Sequence, residues 1–169
     1  MLMSRRKRGL ILNMGSFAGA VPSPMLATYS GTKAFLATFT AALAEEVRQH
    51  NILVEHLNTH FVVRRLLHHS NQVSHFHQVS KLSKIRKPSL LTPMPAAYVR
   101  SALSKVGLAG GAAFTGRPNT STPYWSHSIL DFVINLIGIP SLFISYTHNL
   151  HKDIRRRALR KLEREAKAQ

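Results

Sequence analysis

Apolar positions mark a strand, a long helix and a second strand in the first third of the chain. Residues 9 to 14 form a short apolar run that is typical of a buried strand. Residues 24 to 50 carry apolar side chains at steps of four, which predicts a helix, and residues 52 to 57 form a second strand. Strand, helix and strand in about 50 residues make a crossover unit, so we predict an α/β fold with a parallel sheet. The apolar helix positions are Phe35, Phe39, Leu43 and Val47.

The second half of the chain predicts helices and an apolar tail. Residues 94 to 107 have the pattern of an amphipathic helix, and a glycine-rich connection follows. Residues 128 to 146 are mostly apolar, but Asp131 and Pro140 interrupt them, which argues against a helix that spans a bilayer. From residue 147 onward the chain holds eight Lys and Arg against three acids. We predict an amphipathic, apolar helical tail that associates with a membrane through these bases; a helix buried in a soluble core is the alternative.

Residues 64 to 79 fit neither a helical nor a strand pattern. They hold four of the ten histidines, and a metal site is one interpretation of that cluster. We favour a polar segment and predict no metal site, because no carboxylate or cysteine lies nearby. The composition is foreign to its surroundings, so we interpret the segment as an insert, either translated from an unspliced intron or forming a lid over a substrate site. The histidines are His68, His69, His75 and His77.

The charge of the chain favours anionic partners. Twenty-three Lys and Arg against seven Asp and Glu give a formal net charge of +16, which suits phosphate-bearing molecules and anionic lipids. The sequence contains no zinc-finger spacing and no aromatic RNA-binding motif, so we predict no nucleic-acid partner. It contains no cysteine, which excludes disulfides, thiolate metal sites and cysteine nucleophiles.

Three residues combine into a site suited to the reduction of a carbonyl group. Tyr29 and Lys33 are four apart on the predicted helix, so their side chains project from one face. An ammonium beside a phenol stabilises the phenolate, and such a phenol donates its proton to a carbonyl oxygen as the carbon receives hydride. Ser16 follows the first strand and can hold the same oxygen by a hydrogen bond. The carboxyl ends of parallel strands are where open α/β sheets bind their ligands.

The segments ILNMGSFAG and YSGTKAF, which contain these three residues, resemble the catalytic segment of the short-chain dehydrogenase/reductase family. The whole run over residues 9 to 36 is similar to the microsomal 3-oxoacyl-CoA reductases, which are relatives of the 17β-hydroxysteroid dehydrogenases. Residues 83 to 107 and 121 to 127 resemble the downstream part of the fungal members of that group.

This resemblance implies a Rossmann-type, doubly wound parallel sheet of which the chain supplies the C-terminal half. It implies that Ser16, Tyr29 and Lys33 are catalytic, and that Tyr29 and Lys33 also contact the cofactor, NADPH. The implied reaction reduces a very-long-chain 3-oxoacyl-CoA to the 3-hydroxyacyl-CoA in fatty-acid elongation, at the endoplasmic reticulum membrane beside the other elongation enzymes. The alternatives are a membrane-associated fragment or scaffold of the family without turnover, and a ketone reductase of the 17β-hydroxysteroid type.

Two features of that family do not occur in the sequence. There is no Gly-rich strand–turn–helix fingerprint for a nucleotide. After the second strand, residues 58 to 61 (Asn-Thr-His-Phe) stand where the family has Pro-Gly or a Tyr-centred variant. We therefore expect an incomplete form that lacks the nucleotide-binding half and does not turn over substrate by itself. The expected parts are residues 1–63, the catalytic strand–helix–strand of an incomplete Rossmann domain; 64–79, the insert; 80–127, a substrate-side region of helix and loop; and 128–169, the apolar segment with its basic tail.

Overall fold

The computed structural model describes residues 2–63, 87–108 and 115–167 of the chain. The insert predicted at residues 64–79, with its four histidines, lies outside the described residues and stays a prediction. In chain order the described elements are helix α1 (Leu2–Arg6), strand β1 (Gly9–Met14), helices α2 (Phe17–Ala20) and α3 (Ala27–Val47), a 3-10 turn (Arg48–His50), strand β2 (Ile52–Leu57), helix α4 (Pro95–Leu103), strand β3 (Thr120–Ser121) and helices α5 (Trp125–Ile137) and α6 (Pro140–Lys167).

The three strands form a parallel sheet in the order β1-β2-β3. Strands β1 and β2 have the predicted bounds and pair along their whole length, from Gly9 opposite Ile52 to Met14 opposite Leu57. The α/β class with a parallel sheet is therefore confirmed. Strand β3 was not predicted, because two residues are too short to show a period of two.

Helices lie on both faces of this sheet. On one face α3 packs against Ile52 and Val54 through Ala44, and on the other α4 packs against Leu57 through Tyr98 and Ala102. Successive strand residues point to opposite faces, so the even and the odd positions of β2 serve the two helices separately. Both layers are held against the strands that carry the candidate site.

Two helix boundaries differ from their predictions for local backbone reasons. Helix α3 begins at Ala27 rather than at residue 24, because Met25 has a φ of 67°, which no right-handed helix accommodates. Helix α4 was predicted to reach residue 107 but ends at Leu103, and Gly107 has a φ of 82°. The end of α3 is close to its prediction, since Asn51 adopts the left-handed conformation and turns the chain into β2.

The apolar tail forms two helices that are joined through Gly138 and Ile139. Helix α5 ends at Ile137, because the next residue, Gly138, has a φ of 62°, and α6 then runs for 28 residues. None of the helices in the described ranges is both long enough and apolar enough to cross a bilayer. Association of the tail with a membrane stays a prediction.

Candidate active site

Ser16 lies immediately beyond the end of β1, where it begins α2. Its Oγ accepts a hydrogen bond from the Ala18 N–H at 3.3 Å, the usual arrangement for a serine that caps a helix. Because Oγ acts here as an acceptor, its own proton remains for donation to a second group. The capping bond also fixes the χ1 angle of Ser16, so the hydroxyl is held at the carboxyl edge of the sheet.

Tyr29 and Lys33 share one face of α3, as their spacing predicts. The Lys33 ammonium nitrogen lies 5.7 Å from the centre of the Tyr29 ring. Tyr29 also stands in the first turn of α3, where the unpaired N–H groups of the helix favour negative charge. The Lys33 ammonium therefore lies over the Tyr29 ring near the start of α3.

Lys33 connects α3 to the end of β1. Its Nζ donates a hydrogen bond of 2.7 Å to the Met14 carbonyl, two residues before Ser16. Partial burial lowers the pKa of Lys33 below its ordinary value of 10.5, because desolvation disfavours the ammonium. This bond brings Lys33 to the strand end that Ser16 follows.

Helix α2 lies directly against α3 at the turn that carries Lys33. A Cβ added at Gly19 would stand 2.7 Å from the Lys33 backbone carbon, so only glycine permits this approach. Ser30, next to Tyr29, accepts a hydrogen bond from the Ser23 N–H at 3.1 Å and donates to the Ala18 carbonyl. The loop between α2 and α3 is thereby tied to both helices, which sets Ser16, Tyr29 and Lys33 in one region.

His56 lies behind this region and was missed by the sequence analysis. It is 4% exposed, and neither ring nitrogen has a hydrogen-bond partner among the described residues. Burial, with smaller contributions from the cations of Arg117 and Lys33, lowers the pKa of His56 from 6.5 to about 4. A neutral imidazole therefore lies against Gly15, the residue before Ser16. The sequence feature that could have identified His56 is its inward-facing position on β2, where it pairs with Asn13 of β1.

Asn13 has a structural contact, in keeping with the sequence analysis, which did not include it in the site. Its amide donates a hydrogen bond of 2.9 Å to Thr40 Oγ1 on α3, and Thr40 in turn donates to the Leu36 carbonyl at 2.7 Å. Thr40 is completely buried, so this pair holds α3 on the sheet about two turns beyond Lys33.

The atypical stretch at residues 58 to 61 runs beside the helix that Ser16 begins. The Phe17 N–H donates to the Thr59 carbonyl at 3.0 Å, and the Asn58 N–H donates to the Ser121 carbonyl at 2.8 Å. Asn58 is fully buried, with both amide atoms unpaired within the described part of the chain. This stretch therefore lies against the start of α2, next to Ser16.

A buried histidine holds that stretch in place. The ring of His127 is fully buried; its Nδ1 accepts from the His60 N–H at 3.4 Å, and its Nε2 lies 3.2 Å from the Leu91 carbonyl. These partners require a proton on Nε2 and none on Nδ1. Burial lowers the pKa of His127 to about 4, with a further lowering from His60 and an opposing effect of the Leu91 carbonyl. The sequence analysis gave no role to His127.

The donors at this edge suit the sugar of a nicotinamide nucleotide. The ammonium of Lys33 and the hydroxyl of Tyr29 are the types of group that bind ribose hydroxyls, and they lie together where open parallel sheets bind ligands. Within residues 2–63, 87–108 and 115–167, no three His, Asp or Glu side chains converge as metal ligands would. The roles of the three predicted site residues remain predictions.

Comparison with known proteins adds to this geometry. The family model for short chain dehydrogenases matches residues 1–73. The very-long-chain 3-oxoacyl-CoA reductases of Coprinopsis cinerea and Laccaria bicolor are 71% and 68% identical to the chain, and that of Neurospora crassa is 45% identical. Each alignment covers 99% of this chain but only 44–46% of the relative, so the chain spans less than half of their length.

A solved structure agrees at the level of the fold. A protein from a study of 7β-hydroxysteroid dehydrogenase stereoselectivity superimposes with a TM-score of 0.60 at 18% identity. The match covers 86% of this chain and 50% of that protein.

Proposed function

Because the chain belongs to the short-chain dehydrogenase/reductase family, we propose that it carries the catalytic part of a very-long-chain 3-oxoacyl-CoA reductase. The single observation that carries this proposal is the junction of Lys33 with Tyr29 and with the end of β1, next to Ser16. The similarity to named reductases along 99% of the chain supports the substrate class.

In the proposed reaction the C3 ketone of a 3-oxoacyl-CoA becomes an alcohol. NADPH, when bound, supplies the hydride that bonds to C3. Tyr29 gives its phenolic proton to the ketone oxygen as the carbon–oxygen double bond becomes single, which yields the 3-hydroxyacyl-CoA. Charge and protons balance once the resulting phenolate takes a proton from solvent.

Ser16 and Lys33 prepare that proton transfer. The Ser16 hydroxyl, held by its capping bond to Ala18, donates to the same ketone oxygen and aligns it with Tyr29. Lys33, fixed by the Met14 carbonyl, stabilises the phenolate and binds the cofactor ribose together with Tyr29. The fixed positions of these donors make reorganisation during the reaction unnecessary, which lowers its barrier.

The larger setting is proposed on the same basis. In a protein of the relatives' length, the parallel strands would form part of a doubly wound Rossmann-type sheet that binds NADPH. We propose that the enzyme works at the endoplasmic reticulum membrane beside the other enzymes of fatty-acid elongation. The strongly basic composition, net +16, suits the phosphates of acyl-CoA and NADPH as well as anionic lipid.

The test uses the chain joined to the part of the Coprinopsis cinerea relative that it does not match, with the chain alone in parallel. Absorbance at the nicotinamide band follows NADPH consumption, and mass spectrometry identifies the product. Reduction of a long 3-oxoacyl-CoA by the joined protein supports the proposal. If the joined protein prefers a steroid ketone, the proposed substrate class is wrong. If it binds the cofactor but reduces neither substrate, the protein is a scaffold and not an enzyme.

A further inference from the structure

Helix α5 exposes its apolar side chains and buries its polar ones. Its buried residues are Ser126, His127 and Asp131. Four large apolar side chains at spacings of four, three and four residues form one exposed stripe along the opposite face, which we call the α5 stripe. Their exposed fractions run from 50% to 71%. The stripe consists of Trp125, Ile129, Phe132 and Leu136.

Polar bonds on the inner face fix this orientation. The Asp131 carboxylate accepts two hydrogen bonds from Arg117, at 2.7 and 2.8 Å, and one from Thr122 at 2.6 Å. One turn earlier, Ser126 Oγ donates to the Leu90 carbonyl at 2.7 Å. Asp131 is 2% exposed, so rotation of α5 to cover the stripe would leave a buried carboxylate and a guanidinium unpaired. The apolar stripe is therefore held outward.

Exposed apolar side chains recur after α5, in the connection to α6 and in its first turns. Ile139 and Leu142 are 48% and 57% exposed, and Tyr146 on the next turn is 66% exposed. Beyond them α6 carries eight exposed bases against three acids, a difference of five positive charges. Two of these bases pair with acids on the helix surface, Arg156 with Asp153 and Lys161 with Glu165. The bases are Lys152, Arg155, Arg156, Arg157, Arg160, Lys161, Arg164 and Lys167.

We propose that the α5 stripe, continued by Ile139 and Leu142, is the surface by which this protein lies on an anionic lipid bilayer. The bases of α6 then meet the lipid headgroups. Apolar insertion and headgroup attraction are the two signals that together give stable peripheral binding. Tryptophan favours the boundary between water and hydrocarbon, and Trp125 stands at one end of the stripe. This inference does not depend on the proposed reductase activity.

A lipid surface suits this face better than a protein partner does. Protein interfaces are depleted in lysine and place few charges next to their apolar centre, whereas here a long, strongly basic helix directly follows the stripe. An anionic bilayer offers hydrocarbon to the apolar stripe and negative headgroups to the basic helix, and it needs no complementary shape.

The single tryptophan of the chain makes a direct test possible, because it belongs to the stripe. The full chain is mixed with vesicles of phosphatidylcholine that contain either no phosphatidylserine or about 30% of it. With the anionic vesicles we expect a blue shift of the Trp125 emission and quenching by lipids brominated near the headgroup. Emission that stays unchanged with anionic vesicles would overturn the proposal.

Flotation with the same vesicles tests the stripe against a matched surface. The variant Phe132→Ser/Leu136→Ser should partition at least tenfold less than the parent into anionic vesicles. The control variant Phe35→Ser/Leu103→Ser removes side chains that are equally exposed, at 67% and 59%, from α3 and α4, and should float like the parent. Circular dichroism verifies that the variants are folded. Equal flotation of the α5 variant and the parent, or equal losses in both variants, would contradict the proposal; binding of the parent that ignores phosphatidylserine would remove the role of α6.

Discussion

Gly15 lies directly against the ring of His56, so closely that a Cβ at residue 15 would stand 2.1 Å from the imidazole Nε2. The ring is itself buried and cannot move aside into solvent. Gly15 joins β1 to Ser16, so the contact couples the candidate catalytic strand end to a neutral histidine on β2.

The substitution Gly15→Ala should therefore destabilise the fold by roughly 1–3 kcal/mol, the usual cost of overpacking a tight site. Gly31→Ala is the matched control, because a Cβ there meets nothing within 4 Å. On a helix this change should stabilise the protein by about 0.5–1 kcal/mol. Urea unfolding measures both. In a double-mutant cycle, Gly15→Ala combined with His56→Ala should cost less than the sum of the single changes; strict additivity would show that the contact carries no energy.

Acid should weaken the fold through its two buried neutral histidines. The pKa of both His56 and His127 falls from 6.5 to about 4 in the folded chain, so the unfolded chain takes up protons first. Their contribution to stability is complete above pH 6.5 and is lost as the pH falls toward 4. The free energy of unfolding should fall as the pH is lowered from 7 to 4.5. The slope of this fall reports the number of protons that the unfolded chain takes up, and His127→Gln should reduce that number by one. His50→Gln, in the 3-10 turn that follows α3, is the control; an unchanged slope in His127→Gln would contradict the assignment.

The ion pair between Arg117 and Asp131 should matter far more than a surface pair. Asp131→Asn removes a buried carboxylate that is bonded twice by Arg117, and leaving its partner uncompensated costs roughly 3–5 kcal/mol. Glu45→Ala breaks the surface ion pair of Glu45 with Arg48, whose side chains are 70% and 77% exposed. This change should lower the free energy of unfolding by less than about 1 kcal/mol. Thermal unfolding of the two variants compares them. Equal effects would mean that the Asp131 network does not fix α5.

Removal of the Tyr29 hydroxyl should abolish most of the turnover in the joined protein. Tyr29→Phe keeps the ring but removes the proton donor, so we expect a loss of about 10²–10⁴ in kcat. Lys33→Ala should be at least as harmful, because it removes the ammonium beside Tyr29 and the bond to Met14. Tyr146→Phe, on the exposed surface of α6, should leave kcat unchanged. Near-parental reduction of 3-oxoacyl-CoA by Tyr29→Phe would show that another group is the acid.

The chain alone should not bind NADPH appreciably. Pyrophosphate is usually held by a Gly-rich turn and the helix N-terminus that follows a strand, and this sequence contains no such fingerprint. Calorimetric titration of the chain and of the joined protein provides the comparison. Micromolar binding by the chain alone would reveal a nucleotide site elsewhere in it.

The sequence by itself determined the strand–helix–strand unit and the spacing of the candidate site. Runs of apolar residues gave β1 and β2 their correct bounds, and the four-residue step from Tyr29 to Lys33 placed both on one face of α3. These features depend on local periodicity, which can be recognised in one segment without knowledge of its tertiary contacts.

Only the tertiary structure decided what the isolated polar residues do. Asp131 interrupted an apolar run in the sequence, and the structure pairs it with Arg117, fourteen residues away, so that α5 turns its apolar face outward. The ring of His56 lies against Gly15, which follows β1, and β3 exists only because Thr120 and Ser121 lie beside β2. A buried polar group is stable through partners or close contacts that other segments supply, and no local pattern encodes where those segments meet.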